Sequence, residues 1–400
     1  MNRKVIIVGG GIGGLATARG LLHMGWDVTP YEQAQAFGPV GAGITLAPNA
    51  VRALDWLGLG AELRSRGMAH GAAGIRHTSG RWLMRTRVEA LEARFGVPSF
   101  ALHRADLHEM LVAGAAGATI RTGHFVTGVR NTAEPVVTYD GRDGPGEDAA
   151  DLVVGADGID SRVRTALFPR HPGPAYAGYI TWRGLVPADA APTASRTVGV
   201  TETWGRGQRF GIVPLADGQV YWFATASLPA RSHTQDSIRD LAARYRDWHD
   251  PIPALLEATP TQALLRHDIY HLATPLPQYH AGCIVLLGDA AHALTPDIGQ
   301  GGCLALEDAV TLINLLPGDV NIPEALAAYE RARKARAQRL VRISAGWGRI
   351  AEWRNPIAVR LRNALARLIP ASALLRMSDE TLGWRPPPAR LTLQAEATAS

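Results

Sequence analysis

The sequence predicts an α/β protein in which a parallel sheet is interrupted by an inserted β-rich segment and followed by C-terminal helices. Three stretches lead to this prediction. Residues 4–8, KVIIV, form an apolar, β-branched run typical of a buried parallel strand, and a glycine-rich turn and helical spacing follow it. Residues 174–230 alternate apolar and polar positions, as antiparallel strands do. Residues 323–376 return to the apolar spacing of helices.

Composition restricts the class of protein. The chain has 400 residues, of which 46% are apolar, and this is enough for two domains or for one large α/β domain with an insertion, with a sizeable core. The two cysteines, Cys283 and Cys303, lack disulfide or metal-ligand spacing, so we expect no metal site and a reducing, cytoplasmic location. No run of about 18 apolar residues occurs, so we expect no stable membrane insertion. The sequence is compatible with a monomer or a homodimer.

The positive charge of the chain is concentrated near its C-terminus. The formal net charge is +5, and within residues 331–376 twelve Arg or Lys residues accompany one acid, Glu352. No aromatic-interleaved basic pattern accompanies them, so we expect no nucleic-acid binding. A solvated helix face is the preferred interpretation, and an anionic membrane surface is the alternative.

The first strand, turn and helix form a recognisable nucleotide-binding unit. The turn is GGGIGG, and a second strand ends in Glu32. Gly9 permits the tight turn, Gly11 lets the backbone approach a pyrophosphate, Gly14 allows close packing of helix on strand, and Glu32 can accept hydrogen bonds from a ribose. The pattern predicts adenine-dinucleotide binding without distinguishing NAD from FAD.

Two later motifs repeat the order of strand, loop and helix. Residues 151–167, DLVVGADGIDSRVRTAL, contain Asp157 in a GADG loop. Residues 282–308, GCIVLLGDAAHALTPDIGQGGCLALED, run from an apolar strand through a loop rich in Gly and Pro into a helix. The free N–H groups and the positive end of that helix suit an anion or an electron-rich ring.

With these three motifs in this order, the chain resembles the group A flavin-dependent aromatic hydroxylases, the para-hydroxybenzoate hydroxylase-like family, from residue 4 to about residue 340. The resemblance implies tightly bound FAD, hydride from NAD(P)H, and transfer of one oxygen atom of O2 through a flavin C4a-hydroperoxide. The substrate would be a small, electron-rich aromatic or heteroaromatic molecule.

The resemblance also implies site residues. The ADP half of FAD is assigned to the first glycine turn and Glu32, the pyrophosphate to Arg104, the ribitol to Asp289, and the flavin ring to the segment around residues 299–303. The complete set of implied cofactor residues is Gly9, Gly11, Gly13, Gly14, Glu32, Gly43, Arg104, Asp157, Asp289, Gly299, Gln300, Gly301 and Gly302.

Among relatives, the chain looks most similar to the urate hydroxylase and zeaxanthin epoxidase branch. That resemblance assigns Arg209, Tyr221 and Asp297 to the substrate, with Asp297 as a base or as the residue that orients one, and Pro296 near the flavin face. A turn or cap role for Asp297 and a rim charge for Arg209 are the structural alternatives. Alternative functions are an epoxidase or reductase acting on an isoprenoid-like substrate, a urate-type hydroxylase, a flavin-binding sensor, and an NAD dehydrogenase.

The predicted domains are discontinuous. A Rossmann-type, GR2-like FAD-binding domain comprises residues 1–71, 100–170 and 271–345, and a substrate-binding sheet comprises residues 72–99 and 171–270. A helical region covers residues 346–384, with helix interruptions expected near Gly346, Gly348 and Pro356, and residues 385–400 are expected to be a disordered tail.

Overall fold

The computed structural model describes residues 2–38, 42–70, 73–86, 88–197, 199–232 and 236–388. The strands are β1 Lys4–Val8, β2 Asp27–Glu32, β3 Gly43–Leu46, β4 Met68–His70, β5 Ala73–His77, β6 Trp82–Arg85, β7 Ser99–His103, β8 Arg121–Thr122, β9 Phe125–Arg130, β10 Val136–Gly141, β11 Gly144–Ala149, β12 Leu152–Gly155, β13 Ala175–Val186, β14 Val200–Trp204, β15 Gln208–Pro214, β16 Val220–Ala226, β17 Leu265–His271, β18 His280–Ala281 and β19 Ile284–Leu286. The helices are α1 Ile12–His23, α2 Pro48–Trp56, α3 Gly60–Arg66, α4 Val88–Phe95, α5 Arg104–Gly114, α6 Arg162–Leu167, α7 Thr193–Thr197, α8 Ile238–Tyr245, α9 Ile252–Glu257, α10 Asp289–His292, α11 Gly301–Asn314, α12 Ile322–Ala351, α13 Pro356–Leu368 and α14 Ala371–Leu382. Short 3-10 turns cover Thr261–Ala263 and Pro296–Ile298.

A six-stranded sheet in the order β18-β19-β12-β1-β2-β8 forms the centre of the first unit. β1 pairs in parallel with β2 and β12, and β12 pairs in parallel with β19. The carboxyl ends of parallel strands meet at one edge of a sheet. The three motif loops that follow β1, β12 and β19 therefore lie side by side, which confirms the predicted α/β class.

A seven-stranded, mainly antiparallel sheet forms the second unit, in the order β17-β13-β16-β15-β14-β5-β6. One face is buried with α8 and α9 through Trp182, Phe210 and Trp222. Because side chains alternate between faces along a strand, Arg209 and Tyr221 belong to the opposite face. Tyr221 there packs in a cluster with Ala42 and Ala101 of the first unit. The domain boundaries given above stay a prediction.

The C-terminal helices differ from the expected pattern. α12 runs unbroken through Gly346 and Gly348, so the predicted interruption at these glycines is wrong. A Cβ at Gly348 would lie 2.3 Å from Oδ2 of Asp297, which shows that the glycine makes room for a neighbour rather than ending the helix. The break comes after Ala351, and Asn355 caps α13. Most of the expected tail, residues 389–400, lies outside the described residues.

Within the range predicted as the substrate-binding sheet, residues 236–257 form two helices, α8 and α9, with a turn between them. Residues 72–99, expected to be strand-like, include α4. Among the helices of the described ranges, none is long and apolar enough to cross a lipid bilayer.

Candidate active site

The glycine turn between β1 and α1 is closely packed on its inner side and open on its outer side. Gly9 has φ +107°, and a Cβ there would lie 2.4 Å from the carbonyl oxygen of Ala156. A Cβ at Gly14 would lie 2.1 Å from the carbonyl oxygen of Gly9. At Gly11, by contrast, no described atom lies within 4 Å of the corresponding position. The turn thus offers bare backbone to a ligand at Gly11.

Glu32 and Gly13 have contacts that sequence reasoning did not specify. The carboxylate of Glu32 accepts hydrogen bonds from the N–H groups of Gly10, at 2.9 Å, and Ala34, at 2.8 Å. It therefore lies directly beside the turn. A Cβ at Gly13 would lie 2.6 Å from the side chain of Leu287, so this glycine permits close packing of α1 on the central sheet.

Asp157 caps helix α6. Oδ1 accepts a hydrogen bond from the hydroxyl of Ser161 at 2.6 Å, and Oδ2 accepts from the N–H groups of Arg162 at 2.7 Å and Val163 at 3.1 Å. Burial raises the pKa of this carboxyl despite these bonds. The GADG loop is therefore held rigidly beside Gly9, where a Cβ would lie 3.0 Å from the Cα of Asp157.

Asp289, at the start of α10, is reached by solvent although protein surrounds it. Its side chain is exposed, whereas burial among neighbouring atoms raises the pKa of its carboxyl, with His292 and Arg104 opposing that rise. Arg104 begins α5, and its pKa is lowered by burial and by the nearby Arg183.

The start of α11 also faces open space. Gln300 is the N-cap residue, yet no side chain in the described part of the chain caps this helix, and its first turn has no acid. Gly299 has φ +63°, and no described atom lies within 4 Å of where its Cβ would be. At Gly301 the only described atom within 4.0 Å of the position of a Cβ belongs to the side chain of Leu294. A Cβ at Gly302, by contrast, would pack against the side chains of Ile44 and Ile12. The uncapped N–H groups form a positive, accessible helix end.

A buried ionic network holds α11 in place. Asp308 accepts hydrogen bonds from the N–H of Gly288 at 2.9 Å and from Arg333 at 2.7 Å, and it pairs with His292 at 2.5 Å. Burial raises the pKa of Asp308, but His292 and Arg333 outweigh it and lower the pKa to about 2. Arg333 also pairs with Glu307 at 2.7 Å. Sequence reasoning missed this network, although Glu307 and Asp308 end the third motif.

Arg209 lies in a second buried cluster, with three carboxylates. It pairs with Asp297 at 2.7 Å, Glu352 at 2.9 Å and Glu202 at 3.2 Å, and its side chain is only 2% exposed. Tyr179 donates its hydroxyl to Asp297, with both carboxylate oxygens at 3.0 Å. The predicted pair Arg209 and Asp297 is thus in direct contact.

In this cluster three carboxyl groups face the guanidinium of Arg209. Burial lowers the pKa of Arg209, but the three carboxylates raise it well above its ordinary value. Burial raises the pKa of Glu202 above its ordinary range. Glu352 additionally accepts hydrogen bonds from Thr225 at 2.6 Å and Ser227 at 2.8 Å. The guanidinium of Arg209 is therefore already paired within the protein, with Asp297 and Glu352 as well as with Glu202.

The structure does not bring Tyr221 to this cluster. Arg209 is the cross-strand partner of Thr225, four residues further along β16, which corresponds to about 13 Å along the strand. The ring of Tyr221 instead packs against Gly43, where a Cβ would lie 2.5 Å from the ring. Pro296 is exposed and begins the 3-10 turn that contains Asp297.

Sequence reasoning missed Tyr179, Glu202 and Glu352. Only Glu352 had a signal in the sequence, since it is the one acid in a strongly basic stretch. Its contact with Arg209 joins residues 143 positions apart. Such a pairing depends on how α12 meets the second sheet, which residue spacing does not show.

The residues present fit the cofactor that the resemblance implies. Bare backbone at Gly11 suits a pyrophosphate, Glu32 lies beside that turn, Asp289 is exposed at the start of α10, and the uncapped end of α11 suits the electron-rich edge of a flavin. The fit draws on three separate chain segments that converge at one sheet edge.

Comparison with known proteins gives the family. A family model described as FAD binding domain matches residues 2–344. The chain is 37% identical over 385 residues to aurachin C monooxygenase/isomerase of Stigmatella aurantiaca, covering 96% of this chain and 98% of that protein. It is 34% identical to 2-heptyl-3-hydroxy-4(1H)-quinolone synthase of Pseudomonas aeruginosa, and the match covers 93% of this chain and 96% of that protein. Its fold matches the crystal structure of Klebsiella pneumoniae HpxO complexed with FAD and uric acid, with a TM-score of 0.87 and 29% identity. The match covers 95% of this chain and 96% of the chain in that structure.

These matches confirm the resemblance to the group A flavin-dependent hydroxylases. The chain therefore belongs to the FAD-binding-domain family and is an FAD-dependent monooxygenase of aromatic or heteroaromatic compounds, for which NAD(P)H is the typical co-substrate.

Proposed function

We propose that this enzyme hydroxylates an uncharged, bicyclic heteroaromatic compound of the 4-quinolone type. The observation that carries the proposal is the charge balance around Arg209. Its guanidinium already faces Asp297, Glu202 and Glu352 at 2.7 to 3.2 Å. An anionic substrate such as urate would have to compete with these carboxyl groups for the guanidinium, which is unfavourable in a buried site.

The apolar part of the same sheet face supports a flat, uncharged substrate. Tyr221 and Val213 are buried there, and Leu185 and Phe223 pack against them. Aromatic and aliphatic side chains of this kind bind flat rings through burial of apolar area. The names of two relatives, aurachin C monooxygenase/isomerase and a 4(1H)-quinolone synthase, agree with this substrate class.

Urate is the second candidate, because the Klebsiella pneumoniae structure with uric acid shares the fold closely. It requires Arg209 to be available to the substrate. The three ion pairs of that guanidinium argue against it.

The proposal assigns the cofactor to the cleft where the three motif loops meet. Gly9, Gly11 and Gly14 with Glu32 would hold the ADP half, and Arg104 would lie near the pyrophosphate. Asp289 would hold the ribitol, and Asp157 keeps the GADG loop in place from α6. Bound FAD, reduced by NAD(P)H, supplies the activation of O2.

The remaining assigned residues would surround the flavin ring. The N–H groups at the start of α11 would stabilise negative charge on its N1–C2 edge. The residues placed there are Gly299, Gln300, Gly301 and Gly302, with Gly43 and Pro296 beside the ring.

Asp297 acts as a positioning residue in this proposal. Its side chain has no exposed area, both oxygens face the Tyr179 hydroxyl, and Oδ1 also faces Arg209. These contacts leave little access for a substrate proton and instead fix the turn that carries Pro296. The earlier alternative, Asp297 as the base itself, is less favoured because a base must reach the proton that it removes.

A substrate panel tests the proposal. The FAD-loaded enzyme is supplied with NADH or NADPH and either a 2-alkyl-4-quinolone or urate, and both nucleotide oxidation and product mass are measured. We expect the quinolone to accelerate oxidation and to gain one oxygen atom. Faster oxidation with urate, with a urate-derived product, would contradict the substrate assignment. Nucleotide oxidation without oxygen transfer to any aromatic would favour a reductase.

The proposal also concerns the cellular location and the oligomeric state of the enzyme. We infer a cytoplasmic enzyme, because Cys283 and Cys303 are both free thiols. We infer a monomer or homodimer.

A further inference from the structure

Helix α13 presents a stripe of large apolar side chains to solvent. Ile357 is 74% exposed, Leu361 56%, Leu365 54% and Leu368 75%. At 3.6 residues per turn these four side chains fall within about 80° of the helix circumference. A contiguous exposed apolar stripe of this kind marks an interaction surface more often than a single exposed leucine does.

The opposite face of α13 holds the helix on the protein without help from the stripe. Val359 and Ala366 are buried. Arg362 is 4% exposed and donates hydrogen bonds to the carbonyl groups of Ile350, Ala351 and Gly205 at 2.7 to 3.2 Å. Asn355 caps the first turn. The stripe is therefore not needed to fold or anchor the helix.

The charge around the stripe is positive. Arg354, Arg360 and Arg367 are exposed and form no ion pair with a carboxylate of the described residues. The sequence has no Asp or Glu between residues 353 and 378. Trp353, at the start of the segment, is 38% exposed. An apolar stripe, flanking arginines and an exposed tryptophan are together typical of helices that lie in a membrane interface.

We propose that α13 docks on the surface of an anionic lipid membrane, with its apolar stripe among the acyl chains and its arginines against lipid phosphates. Charge complementarity favours this occupant. In a two-fold contact between two copies, the same surface would face itself and place arginines against arginines without a carboxylate to pair them. The docking is peripheral, and it does not depend on which substrate the enzyme oxidises.

Vesicle flotation of the FAD-loaded full-length protein tests this inference. The protein is mixed with vesicles of phosphatidylglycerol and phosphatidylcholine, or of phosphatidylcholine alone. We expect binding to the anionic vesicles that weakens with added salt, because each basic residue contributes through the negative surface potential. The variant Leu361→Ser/Leu365→Ser should reduce partitioning by about tenfold or more, because apolar burial supplies much of the interfacial affinity.

Charge-reversal variants separate the contribution of the arginines. Arg360→Glu/Arg367→Glu should abolish the preference for anionic vesicles, whereas the matched control Arg170→Glu/Arg239→Glu, at exposed sites outside α13, should keep it. Failure of the wild-type protein to float, or equal binding by the α13 variants and the control, would overturn the inference. A wild-type dimer that the leucine variant converts to a monomer in sedimentation, without vesicle binding, would show that a second copy covers the stripe and would also overturn it.

Discussion

Arg209 shares a buried site with three carboxyl groups. The number of these groups that face its guanidinium determines how strongly Arg209 can attract an anionic ligand. A guanidinium that faces one carboxylate can still attract an anionic ligand. A guanidinium that already faces Asp297, Glu202 and Glu352 attracts such a ligand much less. Replacing these acidic residues one at a time should therefore change the stability of the protein by unequal amounts. Glu202 has a raised pKa, while Glu352 accepts two further hydrogen bonds, from Thr225 and Ser227.

Glu202→Gln is expected to preserve or raise stability at alkaline pH. Because burial raises the folded-state pKa of Glu202 above its ordinary value, its contribution to stability is complete at low pH and decreases as pH rises through the folded pKa. Glutamine imitates the protonated form. We expect the melting temperature of the variant to equal or exceed that of the wild type at about pH 8, and the difference to shrink toward about pH 5.

Glu352→Gln is the matched control for that experiment. It removes the charge that faces Nε of Arg209 at 2.9 Å and should lower the free energy of unfolding by about 1–3 kcal/mol. A Glu202→Gln variant that is less stable than the wild type at alkaline pH, by as much as Glu352→Gln, would show that Glu202 is ionised and needed in the folded protein.

Sequence reasoning reached part of this cluster. Arg209 and Asp297 were matched to substrate positions by resemblance, and the structure brings them together. Tyr221 was expected in the same group, yet the strand register separates it from Arg209 by about four residues. Tyr179, on β13, has no sequence signal at all, because only the packing of the sheet against the loop of Asp297 places it there.

At the scale of elements, the first glycine turn is the part that the sequence predicted best. Gly14 packs against Gly9 within the turn itself, so the local pattern contains much of the information, although Gly9 also contacts the distant Ala156. The third motif was recognised as strand, loop and helix for the same reason. Helix α12 was predicted poorly, because Gly346 and Gly348 were expected to interrupt it, whereas Gly348 gives space to Asp297.

Two alanine variants in the glycine turn separate folding from cofactor binding. Gly14→Ala would place its Cβ 2.1 Å from a backbone oxygen, so we expect loss of stability even without FAD. Gly11→Ala meets no described atom within 4 Å, so the FAD-free protein should melt like the wild type. Its FAD affinity should nevertheless fall by about tenfold or more, because the new methyl group occupies the space proposed for the pyrophosphate.

The measurements are thermal melting of the FAD-free proteins and titration with FAD followed by flavin fluorescence. If Gly11→Ala bound FAD as tightly as the wild type, the assignment of the pyrophosphate to this turn would be wrong. Normal melting of Gly14→Ala would show that the turn can shift to admit a side chain.

For the whole molecule, the proposed cofactor site is built from loops of several separate chain segments. The loops after β1, β12 and β19 meet because these strands are parallel neighbours, and the face of the second sheet that bears Arg209 and Tyr221 lies against the same unit. The class of enzyme was predictable because each loop carries its own motif. The substrate was not, because the site proposed for it combines side chains from β14, β15, β16, the Pro296 turn and the end of α12.

The proposal that the site receives an uncharged heteroaromatic ring rests on the pairing of Arg209 with carboxylates inside the protein. Its most direct test is a titration of the FAD-loaded enzyme, without NAD(P)H, with a 2-alkyl-4-quinolone and with urate, followed by the perturbation of the flavin absorption spectrum. We expect a dissociation constant for the quinolone at least about tenfold below that for urate, which is a monoanion at neutral pH. Tighter binding of urate would contradict it.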